Sequence, residues 1–308
     1  MKQSVIEKNL SSILSNDYVL EVSSGTTALI ISLLLSNKDG RSEVIIPSIC
    51  CPAVLNAVNY CDLNPVFVDM ETNYFNMDIK SIENSITKNT LAIIGVHTYG
   101  ITAPIEEMKK IANKYNVILI EDCCLSIGGR IGDAAIGSFG DLSIFSFGYD
   151  KIISETGGAL VLQEKEKFLA AKKIIEKNEI FKCHQYDEIV MQNKFDTLEQ
   201  NISRRSKNAQ YYFKELSSTK ITKPKFRDVD IYWRYPILFH GNRKKLIQIA
   251  KDKNLIVTQH YPSLAKFQYG TNLPISESFD TSIINFFVNE SATDKYITNV
   301  CRLVNSYE

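Results

Sequence analysis

The sequence predicts an α/β chain: a large domain built on a mainly parallel sheet, followed by a smaller C-terminal α+β domain. Three observations carry this. Over the first two-thirds, short β-branched runs alternate with helical patterns, the rhythm of βαβ units. Two of those runs, Leu91-Ala92-Ile93-Ile94-Gly95-Val96 and Val117-Ile118-Leu119-Ile120, are apolar throughout, as strands buried on both faces require. From Glu164 onward the composition turns to charged helix, and the rhythm is lost.

Taken in order, Ser24-Gly25-Thr26 opens an apolar stretch, Ala28 to Leu35, suited to a buried helix. Glu43 to Ile46 reads as a strand ended by Pro47, and Pro52 to Asn59 as the next helix. Pro65 to Asp69 is a strand, Ile79 to Ser85 a short helix, and Leu91 to Val96 a strand. Pro104 starts a helix that runs to Tyr115. The strand Val117 to Ile120 then delivers Glu121-Asp122 at its C-terminal end, the edge where open α/β sheets place ligands. Eight of the 14 glycines fall between Gly128 and Gly158, so backbone freedom is concentrated there. Within that region Leu142 to Phe147 and Ala159 to Leu162 read as strands, which puts Lys151 on the connection between them. Lys165 to Lys177 is helical, and a helix over Asn201 to Leu216 leads out of the large domain. Strands at Ile231 to Phe239 and Ile256 to Gln259, separated by a helix over Arg243 to Asp252, complete the smaller one. These elements divide the chain into 1–205 and 206–308.

Composition excludes several classes. The 35 basic and 35 acidic residues cancel, so no global field collects nucleic-acid phosphates. The N-terminus has no basic-then-apolar signal layout, and no run reaches a membrane span of roughly 18 apolar residues. A cytoplasmic chain without nucleic-acid or membrane partners is expected. The seven cysteines are odd in number and include two adjacent pairs, which suits small reduced core residues rather than a disulfide framework. With four scattered histidines and no HExxH, no metal site is expected.

No P-loop, no GxGxxG after a strand and no nucleophile elbow occurs. Three other features stand in a fixed order. Ser23-Ser24-Gly25-Thr26-Thr27 lies at a strand-to-helix junction, where free N–H groups and the helix dipole can hold a phosphate, although a plain helix cap explains it equally well. Asp122 ends a hydrophobic strand; it is either a cap or a partner for a protonated pyridine nitrogen. Lys151, in Phe145-Ser146-Phe147-Gly148-Tyr149-Asp150-Lys151 and followed by Gly157-Gly158, is either a solvated charge or a lysine nucleophile for a carbonyl. Together they meet the requirements of pyridoxal 5′-phosphate (PLP).

In this arrangement the chain resembles the DegT/StrS family of fold type I PLP enzymes, known as nucleotide-sugar aminotransferases. The likeness covers VSSGTTAL, EVIIPSICCPAVLNAV, NPVFVDMETNYFNMD, VHTYG, VILIEDCCLSIGG and GSFGDLSIFSFGYDK, and more weakly RRSKNAQYYFKEL and YPILF. It implies that Lys151 anchors the cofactor covalently and shuttles the proton, that Asp122 pairs with the ring nitrogen, and that Gly25, Thr26, Thr27 and Ser146 bind the phosphate. His97 matches a common family position, either as a packed, hydrogen-bonded histidine or as one that meets substrate, and Asn193 matches an asparagine that reaches a neighbouring subunit's site. Cys51 stands where the family commonly stacks an aromatic on the ring, and Leu125 where it has a glutamine.

The resemblance further implies a homodimer with shared active sites, an amino donor such as L-glutamate, and a keto-sugar acceptor, nucleotide-linked in the family's manner, for surface-polysaccharide or related synthesis. Family branches that dehydrate sugars replace the lysine with histidine, so Lys151 argues for transamination. Two alternatives stay open: a catalytically weak PLP-fold protein with a binding or assembly role, favoured by Cys51, Leu125 and a short central region, and another PLP reaction such as sulfur transfer using the cysteines.

Overall fold

The computed structural model describes residues 3–36, 40–265 and 273–307. Helix α1 (Val5–Leu14) opens the chain, capped by a reciprocal pair of hydrogen bonds between Ser4 and Glu7. Strand β1 (Val19–Val22) leads into α2 (Gly25–Ser36), which is apolar on nearly every side because it is buried around most of its circumference. Next come β2 (Glu43–Pro47), α3 (Pro52–Tyr60), β3 (Asn64–Val68), the small hairpin β4 (Met70–Glu71) with β5 (Asn76–Met77), and α4 (Ile79–Asn84). Strand β6 (Thr90–Val96), α5 (Ile105–Tyr115) and β7 (Ile118–Asp122) continue the alternation. A second small hairpin, β8 (Arg130–Ile131) with β9 (Ala134–Ala135), precedes β10 (Leu142–Ser146) and β11 (Gly158–Leu162).

These strands form a seven-stranded sheet in the order β1-β11-β10-β7-β6-β2-β3. Strands β10, β7, β6, β2 and β3 are mutually parallel, while β11 runs antiparallel to both neighbours. All seven residues of β6 are buried, as its unbroken apolar sequence requires. Parallel pairing brings the C-terminal ends of β7 and β10 to one edge, and β11 starts there because it runs the other way: Ser146 sits opposite Gly158. Residues from chain positions 20 to 160 therefore converge on one rim.

Helices α6 (Lys165–Lys177), α7 (Glu188–Asp196) and α8 (Leu198–Glu215) lead away from this sheet. A three-stranded antiparallel sheet follows, ordered β12 (Ile221–Thr222), β13 (Tyr235–Phe239), β14 (Ile283–Phe286). Helices α9 (Arg243–Asp252), α10 (Pro274–Ser282) and α11 (Asp294–Asn305) accompany it. The apolar cluster around it is rich in aromatics and takes in Ile49, Phe75, Tyr99 and Leu125 from earlier in the chain, with Tyr212 of α8 stacked on Tyr235 at 5.4 Å between ring centroids. Position 205/206 lies inside α8, which runs unbroken across it. Among the described residues, no helix is long and apolar enough to cross a membrane.

Two strand expectations change. Only Tyr235–Phe239 of the run from Ile231 is a strand; the preceding residues turn their N–H groups onto the 99–100 loop, Ile231 to Gly100 O at 3.0 Å and Trp233 to Tyr99 O at 2.7 Å. This docking needs glycine at 100, where φ is +79° and a Cβ would meet Trp233 N at 2.5 Å. Ile256 to Gln259 forms no strand: its pairing is the isolated bridge Thr258–Asn285, too short to extend the ladder.

Candidate active site

The end of β7 presents two adjacent carboxylates to opposite faces, as strand geometry dictates. Glu121 is fully buried. Its Oε1 accepts from Gly137 N–H at 2.7 Å and from His97 Nε2 at 3.2 Å, and its Oε2 accepts from the N–H groups of Phe139 and Gly140, each at 2.9 Å. Burial alone raises its pKa, but the bond and charge of His97 and the Gly137 and Gly140 amides outweigh this and hold it below the ordinary carboxylate value. Asp122, 7% exposed, accepts from Cys124 N–H at 3.0 Å through Oδ1.

A helix terminus and a hydroxyl approach the same rim. Ser24 Oγ caps α2 by accepting from Thr27 N–H at 3.1 Å, and the Thr27 hydroxyl lies 2.7 Å from Ser23 Oγ. The N–H groups of Gly25 and Thr26 begin the helix, so they have no acceptor one turn back and carry the positive end of its dipole. Gly25 is packed so closely on β10 that a Cβ there would meet Ser146 Cβ at 2.8 Å and Cys124 Sγ at 2.9 Å. The Ser146 hydroxyl therefore stands beside the helix start. This is a cradle for a phosphate.

Lys151 lies half-buried on the β10–β11 connection, its N–H donating to Gly148 O at 3.2 Å. No hydrogen bond or ion pair to its Nζ occurs among the described residues. Lys151 also lines an open cavity of about 460 Å³ with Asn201, Arg205, Phe287 and Asn289. Cys124 senses both ends of the site: burial pushes its thiol well up, Asp122 adds to this, and Lys151 opposes it. Burial likewise raises Cys50 and Cys123, each with a further push from Asp122. Thiols held protonated in this way are poor nucleophiles, which weighs against Cys50, Cys123 and Cys124 as sulfur carriers.

The fold thus brings Gly25, Thr26, Thr27, Asp122, Ser146 and Lys151 to one neighbourhood. Cys51 joins it at the start of α3, packed against the aromatic cluster that contains Leu125 and Tyr261. Burial pushes the Tyr261 hydroxyl well up, with smaller contributions from Cys51, Tyr99, Cys50 and Asp122. His97 is elsewhere. It has no exposed surface, and its Nδ1 accepts from Ala103 N–H at 2.9 Å, which leaves Nε2 to serve Glu121. Its two nitrogens thus tie the Ala103 amide to Glu121 of β7 inside the protein. His97, Glu121 and Cys123 have ligand atoms within 4.8 Å of one another, but the histidine and carboxylate lone pairs are already taken up by these bonds. Asn193 is exposed on α7 and does not line the Lys151 cavity of its own chain.

The motifs missed the residues that approach Lys151 from later in the chain. Trp233 Nε1 donates to Asp150 O, Arg234 Nη2 to Asp150 Oδ2 at 2.6 Å, and Asn201 Nδ2 to Ile152 O at 3.0 Å. No local pattern marks them, since each acts across 49 to 84 positions of sequence.

A mostly parallel α/β sheet with a lysine on a rim connection, a carboxylate at a strand end and a helix-borne anion cradle defines a PLP-dependent enzyme of fold type I. The chain belongs to the DegT/DnrJ/EryC1/StrS aminotransferase family, whose model matches residues 2–188 and 181–305. It is 28% identical over 313 residues to the GDP-perosamine synthase of Escherichia coli O157:H7, covering 94% of this chain and 85% of that protein. It is 26% identical over 324 residues to the dTDP-3-amino-3,6-dideoxy-alpha-D-galactopyranose transaminase of Aneurinibacillus thermoaerophilus, covering 98% and 88%. The fold matches a DegT DnrJ EryC1 StrS aminotransferase from Brucella abortus with a TM-score of 0.87 at 23% identity, covering 98% of this chain and 89% of that one. It matches Helicobacter pylori PseC with a TM-score of 0.87 at 21% identity, covering 99% and 90%. The protein is an aminotransferase that uses PLP.

Proposed function

We propose that this aminotransferase moves an amino group from an amino acid, L-glutamate, to a nucleotide-linked keto-sugar, working as a cytoplasmic homodimer with shared active sites. The observation that carries the reading is Lys151, an amine without a hydrogen-bonding partner among the described residues, set on the rim that also holds Asp122 and the Gly25–Ser146 cradle. The sugar-nucleotide acceptor is supported by the activities that the E. coli and A. thermoaerophilus relatives are named for.

The residues present fit the cofactor. The start of α2 at Gly25 and Thr26, with Thr27 and the Ser146 hydroxyl alongside, suits its phosphate. Asp122 would hold a proton on the ring nitrogen by charge pairing. Lys151 would supply the covalent anchor and an amine able to carry a proton during the transfer. When bound, PLP supplies the electron sink for that proton transfer. Cys51 would contribute one wall.

The test is an absorption spectrum of the purified protein with PLP, before and after L-glutamate, with borohydride trapping and peptide mapping. A band that glutamate converts, trapped on Lys151, supports transamination at this lysine. A band indifferent to every amino donor moves the protein to a non-catalytic role.

A further inference from the structure

We propose that Arg205 is a positioning residue for Lys151, because it couples two side-chain clamps that hold the backbone on either side of that lysine. The proposal rests on Lys151 being the cofactor-bearing lysine. Asp150, immediately before it, has φ of 64°, a left-handed conformation that non-glycine residues adopt at a cost unless their surroundings enforce it. Its surroundings do: its carbonyl accepts from Trp233 Nε1, its Oδ2 from Arg234 Nη2 at 2.6 Å, and its N–H donates to Ser154 Oγ at 3.2 Å. On the other side, Ile152 O accepts from Asn201 Nδ2 at 3.0 Å.

The clamps come from two separate elements, α8 and the 231–234 segment, and Arg205 joins them. One turn beyond Asn201, its Nε donates to Asn201 Oδ1 at 2.8 Å, which turns the amide so that Nδ2 faces Ile152 O. Its Nη1 donates to Trp233 O at 3.0 Å and to Tyr232 O at 3.4 Å. Arg205 is only 3% exposed, and burial lowers its pKa to about 10. A buried guanidinium is a poor choice for filling space, since an apolar side chain avoids its desolvation cost. What it provides is geometry: three donors in a rigid fork, each aimed at an acceptor that fixes one flank of the lysine. The lysine amine reaches its target through a flexible stem, so its aim depends on where the Cα is held. A misplacement of about 1 Å can cost roughly 100-fold in rate.

The test uses the full chain with Arg205→Met, Arg205→Lys and Asn201→Ala. In cofactor-free protein, amide hydrogen exchange over 150–155, which includes Lys151 N–H to Gly148 O and Glu155 N–H to Phe147 O, should quicken about tenfold in Arg205→Met and Asn201→Ala while β10 and β11 amides stay unchanged. The PLP dissociation constant should rise about tenfold, and kcat should fall more than the KM for the amino donor changes. Arg205→Lys, able to serve one acceptor at a time, should fall between Met and wild type. Unchanged exchange over 150–155, or quickening in step with β10 and β11, overturns the proposal, the second by showing a merely structural role. If Arg205→Met does not fold, Asn201→Ala decides, since it removes the Ile152 clamp and leaves the arginine in place. Borohydride mapping of the wild type separates the two levels: an adduct on another lysine removes the underlying reading, whereas an adduct on Lys151 with unaltered exchange in the variants removes the role of Arg205 alone.

Discussion

Replacing Glu121 with glutamine removes one charge from a fully buried side chain and keeps its shape. The wild-type carboxylate satisfies three backbone N–H groups, those of Gly137, Phe139 and Gly140, together with His97. A glutamine can offer its single carbonyl oxygen to Gly137 and His97, but its NH2 then points at the N–H groups of Phe139 and Gly140. Two buried donors lose their acceptor at about 1–3 kcal/mol each, offset in part by the charge no longer buried, which leaves a net loss of about 3 kcal/mol. For a chain of this size that corresponds to a melting temperature lower by roughly 5 °C at neutral pH. The sign of the pH dependence follows from the lowered carboxyl pKa in the fold. Its stabilisation is fully present above the unfolded value of about 4.3 and is lost as pH falls through the folded one, so the gap between wild type and variant should close in acid. Thermal melts followed by far-ultraviolet circular dichroism at neutral and acid pH test this. A difference below about 2 °C at neutral pH, or one that persists unchanged in acid, refutes the reasoning.

Lys151→Ala should abolish transamination and borohydride labelling, because the other lysine that lines its cavity among the described residues, Lys194, is tied to Glu155 Oε1 at 2.6 Å; turnover near wild type would remove the assignment. Asp122→Asn should leave the far-ultraviolet spectrum and melting temperature close to wild type while lowering kcat at least about 100-fold, since the ring nitrogen loses its charge partner. An unchanged kcat would take Asp122 out of the chemistry. Gly25→Ala should weaken PLP binding and destabilise by about 1–3 kcal/mol, because the new methyl meets Ser146 Cβ at 2.8 Å on the rigid β10 and Cys124 Sγ at 2.9 Å. Fluorescence titration with PLP checks the first effect and a urea melt the second.

Strand and helix positions in the large domain were legible because burial on both faces of a parallel sheet writes itself as apolar runs, as in Leu91 to Val96, and because Pro47, Pro52 and Pro104 punctuate the elements. Lys151, Asp122, Gly25 and Ser146 stood out for the same kind of reason, since each lies at the end of such a run or in a glycine-rich turn. The segment 231–234 looked like a strand by composition. Its N–H groups instead answer the carbonyls of Tyr99 and Gly100, more than 130 positions earlier, and periodicity carries no record of such a partner. The same holds for His97, whose two nitrogens serve a backbone amide and Glu121 inside the protein.

The sequence by itself determined the fold class, the order of the elements and the kind of chemistry, because secondary-structure periodicity and motif spacing are properties of neighbours along the chain. Only the tertiary structure decided that Glu121 supports the loop under the site while Asp122 faces the rim. It alone showed that Asn201, Arg205, Trp233 and Arg234 close around the turn bearing Lys151. Those contacts are hydrogen bonds between distant segments, and their geometry exists only once the sheet and α8 have packed.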